Sequence, residues 1–243
     1  MVNSARSEIL SRLQKVIQPL HSAGGTHSKS RIISGLECFN RSFPDHAFPL
    51  GTIHEFIPAN TEDRGSTIGL MTAIASRIVS KKSYLLWVGS SSEVYPPGLK
   101  CLGMEPSRII FINHQKEKDI LWTTEEALKC KALDLVITEI PGLDFTSGRR
   151  LQLAAETGNV TGFVFRQSFL SPGTTASTSR WKINSVPGNP GNLPGVGFPR
   201  WQVEISKMRN GKTGNWLIEW RNGQLKEVRE ETMRHVEWKR KTG

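Results

Sequence analysis

The chain has 243 residues, enough for one large domain with appendages, and its 37% hydrophobic and 22% charged content is that of a soluble globular protein. No apolar run approaches the roughly 20 residues of a membrane-spanning helix, and Ser4, Arg6, Ser7 and Glu8 interrupt the N-terminus too early for a secretory core. Lys and Arg number 32 against 22 Asp and Glu, and the formal charge of +10 favours nucleic acid or acidic protein surfaces as partners without locating a site. Cys38, Cys101 and Cys130 have no CxxC spacing, so neither a zinc site nor a disulfide framework is indicated and a cytoplasmic setting is expected.

In chain order, Ile9, Leu10, Leu13, Val16, Ile17 and Leu20 follow helical spacing, with Arg6, Arg12 and Lys15 on the other face. His21–Ser30 is a linker by composition, so residues 1–30 read as a helical arm with its tether. From Gly51 onward strand and helix patterns alternate. Apolar runs at Thr52–Ile57, Ser83–Gly89, Ser107–Ile112, Leu133–Ile140 and Thr161–Phe165 read as strands. Helical patterns fall between them, from about Ser66, at Pro97–Leu102, over Ile120–Cys130 and over Ser147–Thr157. Continuous apolar strands alternating with amphipathic helices predict an α/β fold, a mostly parallel central sheet flanked by helices.

After Gln167 the composition turns to Ser, Thr, Gly, Pro and Asn, interrupted by the possible strand Arg180–Asn184. Two alternating segments then place Trp201, Val203 and Ile205 on one face and Trp216, Ile218 and Trp220 on another, joined through Asn210-Gly211. This predicts a C-terminal antiparallel β-hairpin closing a domain over 31–224. Residues 225–243 read as a charged tail.

The organising stretch is Phe48–Val79, where a strand meets a helix through a glycine-containing polar loop. Nucleotide phosphates are held at such corners by the pattern G-x-x-x-x-G-K-[ST], whose lysine reaches the terminal phosphates and whose hydroxyl holds magnesium. Gly65 and Thr67 fit that pattern, and Ser66 stands where the lysine belongs. Glu62 and Asp63 add two negative charges where phosphates would lie. The plain alternative is a polar loop that caps the helix through Ser66 or Thr67.

The segments FPLGTIHEF at 48–56, LLWVGSSSEVYPPGLKCLGM at 85–104 and LWTTEEALKCKALDLVITEI at 121–140 resemble the ImuA family, small RecA-like (also SulA-like) proteins of damage-induced mutagenesis. RRLQLAAETGNVTGFVFR at 149–166, SRWKI at 179–183, PRWQVEI at 199–205 and WLIEW at 216–220 extend the likeness over about residues 35–220. The resemblance implies a RecA-like core whose nucleotide site is degenerate. Its water-activating glutamate would fall at Ser91, with Glu93 two residues away. Its magnesium-side carboxylate would be Glu139, and its nucleotide-sensing glutamine Gln167, beside Arg166 in place of an asparagine. Asp134 reads as an edge residue at the start of its strand.

Neither charge neutralisation nor water activation survives in that pattern, so hydrolysis of ATP is not expected, and no cofactor or metal is implied. The histidines His21, His27, His46, His54, His114 and His235 show no ligand spacing. The resemblance implies an accessory role in SOS-induced translesion synthesis, with an ImuB-like protein, an error-prone replicative-type polymerase and RecA as partners. A DNA-stimulated ATPase built on Arg64 and Glu139 and a SulA-like division inhibitor are the alternatives. For DNA or partner contact, Arg149, Arg150, Arg180, Trp181, Arg200, Trp201 and Lys212 are the candidates, although alternating tryptophans on a hairpin normally form a core face.

Overall fold

A computed structural model describes residues 30–90, 94–167, 173–190 and 194–228. The expected N-terminal arm, Ser91, Glu93 and most of the charged tail lie outside these residues. Strands β1 (Ser30–Arg31) and β2 (Phe48–Pro49) pair as a small ribbon. The body is a nine-stranded sheet of β3 (Ile53–Pro58), β4 (Tyr84–Gly89), β5 (Ile109–Asn113), β6 (Leu133–Ile140), β7 (Thr161–Arg166), β8 (Ser179–Val186), β9 (Arg200–Met208), β10 (Gly214–Arg221) and β11 (Gln224–Glu227). Four helices accompany it: α1 (Arg64–Ile78), α2 (Pro96–Lys100), α3 (Glu117–Leu128) and α4 (Phe145–Gly158).

The strand order is β11-β10-β9-β8-β3-β7-β6-β4-β5. From β8 to β5 every pairing is parallel, and from β8 to β11 every pairing is antiparallel. The expected α/β architecture with its C-terminal hairpin is therefore present, and β8 is the hinge between its two halves. The connection of β9 to β10 runs through Asn210, which takes a left-handed φ of 57°. The tip does not project freely: the Lys212 N–H bonds the Ser42 carbonyl at 2.9 Å.

Three expectations are corrected. The sequence placed a charged tail from Leu225, but β11 pairs there with β10 and buries Leu225. Asn222 and Gly223, both at positive φ, make the tight turn that returns the chain, and one apolar side chain among polar ones suffices for an edge strand. Asp134 sits in β6, an interior strand between β7 and β4, and accepts the Ser80 N–H at 2.8 Å where α1 gives way to β4. The helix expected over Ile120–Cys130 begins at Glu117, so its buried stripe is Ile120, Thr123, Thr124, Ala127 and Leu128, and Leu121 is only half-buried.

Each sheet face has its own core. On one side α1 lays Leu70, Met71, Ile74 and Ile78 against the sheet, and Phe39, Phe43 and Phe48 complete the layer. The alternating residues of β8–β10 point into this side, as their period of two dictates. Trp181 is wholly buried, stacked on Phe56 with ring centroids 5.5 Å apart and met edge-on by Phe39 at 5.0 Å. The other side is covered by α3 and α4 over Leu86, Val88, Val136, Ile140 and Val164. α4 ends close against α3: a Cβ on Gly158 would lie 2.0 Å from the Leu128 carbonyl oxygen, so only glycine fits.

A polar thread runs through the first core. The Trp181 indole N–H donates to Ser179 Oγ at 2.7 Å, and the Ser179 hydroxyl donates to His54 Nδ1 at 2.6 Å. His54 Nε2–H in turn donates to the Pro49 carbonyl at 2.8 Å, which fixes the tautomer. Burial pushes the imidazole down to about 4, and the Pro49 carbonyl offsets only part of that. The unfolded chain takes up this proton near pH 6.5 while folded His54 stays neutral. Stability is therefore full above about pH 6.5 and falls as the pH drops toward 4, by roughly 3 kcal/mol from this group. Urea unfolding across that range measures the slope, and His54→Asn should lower overall stability while flattening it.

Candidate functional site

Strands β3, β6 and β7 run parallel, so their C-terminal ends share one sheet edge, the place where ligands enter open α/β sheets. The loop from Pro58 to Thr67 lies at this edge. Its first residue out of the strand, Ala59, donates its N–H to the Ile183 carbonyl of β8 at 2.7 Å. Thr61–Asp63 form one 3-10 turn, and α1 follows directly from Arg64, two residues before the expected start.

Asp63 organises this loop. Its Oδ2 accepts the Asn60 N–H at 3.0 Å and the Asn60 amide at 3.2 Å. Its Oδ1 accepts the backbone N–H and the hydroxyl of Ser185, each at 2.7 Å. Burial alone would raise its pKa, but these bonds outweigh it and hold the carboxyl below the usual aspartate range. Thr67 donates its hydroxyl to the Asp63 carbonyl at 2.8 Å. The sequence put Asp63 and Glu62 together as charges facing a ligand; the two separate. Glu62 is exposed, and Asp63 is 2% exposed and turned inward as the loop's own anion.

The other nucleotide-site positions fall around it. Gly65 is exposed, with nothing within 4 Å of where a Cβ would be, and Ser66 is half-buried. Arg64 places its guanidinium 5.6 Å from the centre of the Phe165 ring. Phe165 is the ladder partner of Glu139. Glu139 is buried and accepts the Trp87 indole N–H at 2.5 Å, beneath Gly89. Gln167 is half-buried at the end of β7, its N–H bonded to the Ile140 carbonyl at 2.9 Å. Gly65, Ser66, Thr67, Glu139 and Gln167 thus converge on one sheet edge, with Ser91 outside the described residues.

A second centre lies on the opposite sheet face, around Glu55. Glu55 is fully buried and lies between Arg180 Nε at 3.3 Å and Arg166 Nη1 at 3.6 Å. Its Oε1 accepts the Ser177 hydroxyl at 2.7 Å and the Thr175 hydroxyl. A bulge in β9 between the partners of Arg180 and Trp181 swings Lys207 to this face, where it bonds the Thr175 and Ser177 carbonyls at 2.6 and 3.0 Å. Burial pushes Lys207 below the ordinary lysine range, and the Glu55 charge restores only part. The one sequence signal is a lone acid within the apolar strand IHEFIP; its partners are over 100 residues away.

The candidate contact residues divide. Trp181 and Trp201 belong to the core and present no ring to solvent, so base stacking by either is excluded. Arg180 serves Glu55 and the Gly173 carbonyl, and Arg200 binds Glu219 at 2.7 Å. Arg150 pairs with Glu125 on the helical face, while Arg149 and Lys212 are exposed. Among the described residues no group of three His, Cys, Asp or Glu is placed to hold a metal ion, and no helix is long and apolar enough to cross a membrane.

The fold and this corner define an α/β protein with a mixed, mostly parallel sheet, whose strand–loop–helix corner is closed by its own carboxylate. No family model matches the chain. It is 31% identical over 210 residues to protein ImuA of Caulobacter vibrioides strain NA1000 / CB15N, covering 80% of this chain and 86% of that one. The same values hold for protein ImuA of strain ATCC 19089 / CIP 103742 / CB 15. The chain belongs to the ImuA family. It is also 26% identical over 147 residues to cell division inhibitor SulA of Photorhabdus laumondii, covering 56% of this chain and 83% of that one. The crystal structure of SulA from Pseudomonas aeruginosa matches 47% of this chain and 96% of its own at 17% identity, with a TM-score of 0.41.

Two substitutions probe the centres. Asp63→Asn should cost about 1–3 kcal/mol, because it weakens charge-assisted bonds inside a buried loop. Thermal or urea unfolding above pH 5 measures this, and the difference should shrink in acid as the wild-type carboxyl protonates. Glu55→Gln should cost about 3–5 kcal/mol, because it leaves buried Arg166 and Arg180 without their counter-charge. A loss below about 0.5 kcal/mol would show that the arginines find other partners.

Proposed function

We propose that this protein is a non-catalytic, RecA-like accessory factor of SOS-induced translesion synthesis and mutagenic repair. In this reading it acts as an adaptor to an ImuB-like protein, an error-prone replicative-type polymerase and RecA, with DNA reached directly or through them. Family membership supports the pathway. The observation that carries the non-catalytic reading is Asp63: the corner where a phosphate would lie holds a buried carboxylate of its own, bonded to Asn60 within the loop and to Ser185 of β8. Ser66 in place of lysine removes the loop's own phosphate-directed cation, and Arg64 is stacked on Phe165. A fold freed of chemistry keeps its surfaces, and those surfaces serve binding. In this reading the protein needs neither ATP nor magnesium and works in the cytoplasm.

Co-purification of the full chain with each of the three partner classes tests the adaptor reading. Retention of at least one with micromolar affinity or better is expected, and failure to retain any of them would sink it. A second reading, division inhibition, draws on the 26% identity to SulA. A polymerisation assay with the tubulin-like division protein separates the two: the adaptor reading predicts no inhibition.

A further inference from the structure

We propose that β5 is an interface strand, pairing antiparallel with β5 of a second copy of this chain so that one sheet runs through both. β5 ends the nine-stranded order, and its far side meets no other described strand. Its inward groups are fixed by β4. The His114 N–H bonds the Gly89 carbonyl at 2.9 Å, and Ile109–Asn113 pair in register with residues 85–89. By the alternation of a strand, Ile110 and Ile112 bond inward as well, while Phe111 and Asn113 turn both N–H and C=O outward. The Ile109 N–H returns to the Pro106 carbonyl, which leaves the Ile109 C=O on the outer side. Among the described residues no backbone hydrogen bond reaches these outward groups.

β5 also lacks the devices that keep a sheet edge from pairing. Its sequence is IIFIN, with no charge, no proline and no bulge against β4. The opposite edge, β11, is QLKE and exposes Lys226 and Glu227. Ile110 and Ile112 pack on one core and Phe111 on the other, its ring 6.0 Å from that of Trp87, yet all three are only half-buried. In β6, which has a strand on each side, every residue is buried. A further strand beside β5 completes the cover on both faces at once.

The arrangement of free groups suits a copy of the same strand. In an antiparallel pair centred on Phe111, the two Phe111 residues exchange N–H···O=C bonds, and each Asn113 N–H meets the free Ile109 carbonyl of the other copy. Ile110 then faces Ile112 of the other copy on one side of the sheet, and the two Phe111 rings meet on the other. No charge stands opposite a like charge within the pair, and a charged partner strand finds no counter-charge on β5. Such an interface is isologous, so it closes at two copies.

Sedimentation equilibrium of the full chain from about 1 to 100 µM tests this, with a monomer–dimer equilibrium expected. Asn113 is exposed and its N–H points out of the sheet, a position where an edge strand tolerates proline. Asn113→Pro removes one donor from each copy and should weaken the dimer about thirtyfold while the monomer stays folded. Hydrogen exchange gives a reading that needs no variant. The Phe111 and Asn113 amides of the wild type should be protected in the dimer and lose that protection in the diluted monomer, with Ile110 and Ile112 unchanged. A monomer at every concentration would overturn the proposal. So would a dimer that Asn113→Pro leaves intact, which would place the interface elsewhere. Protection of Phe111 and Asn113 that persists in the monomer would also overturn it, by assigning the edge to another segment of the same chain.

Discussion

Asp63 ties three elements together: its carboxylate holds the end of β3 through Asn60 and β8, 122 residues away, through Ser185, and its backbone carbonyl holds the start of α1 through Thr67. Phosphate loops leave their backbone N–H groups open for an anion that comes and goes. Here the anion is covalently part of the loop, and four hydrogen bonds keep it ionised and in place. A group fixed in this way stabilises one state at all times. It does not report whether a ligand is bound, so the corner has the properties of a joint.

The same theme recurs at Glu55, where a buried charge joins the parallel half of the sheet to the antiparallel half. Arg166 comes from β7, Arg180 from β8 and Lys207 from the β9 bulge. Removing a single partner from such a cluster costs more than the intact cluster contributes, because the remaining charge stays buried. The tryptophans of the C-terminal strands do the complementary work on the other face. Trp181 packs between Phe39 and Phe56, and Trp220 donates to the Cys101 carbonyl and lies under Arg77. Together these contacts make β8–β11 a continuation of the central sheet.

Most of the architecture was legible in the sequence because buried parallel strands leave continuous apolar runs, as at Leu133–Ile140, whose bounds coincide with β6. The alternation of Trp201, Val203 and Ile205 with polar residues likewise announced a one-sided strand. Strand β11 was hidden because Leu225 alone carries its apolar face between polar neighbours. The direction of Asp63 was hidden for a different reason. Local composition shows that an acid is present, but Ser185, 122 residues away, decides whether it faces solvent or protein. Glu55 is the same case in stronger form, since its partners sit 111 to 152 positions along the chain, from Arg166 to Lys207.

If the corner at Asp63 is a closed joint, nucleotide has no place in it. Titration calorimetry of the full chain with magnesium-ATP, with and without single-stranded DNA, puts this to a direct test. No saturable binding up to about 1 mM is predicted in either condition. Saturable binding below that level, weakened by Arg64→Ala, would contradict the closed corner and reopen the phosphate loop as a working site.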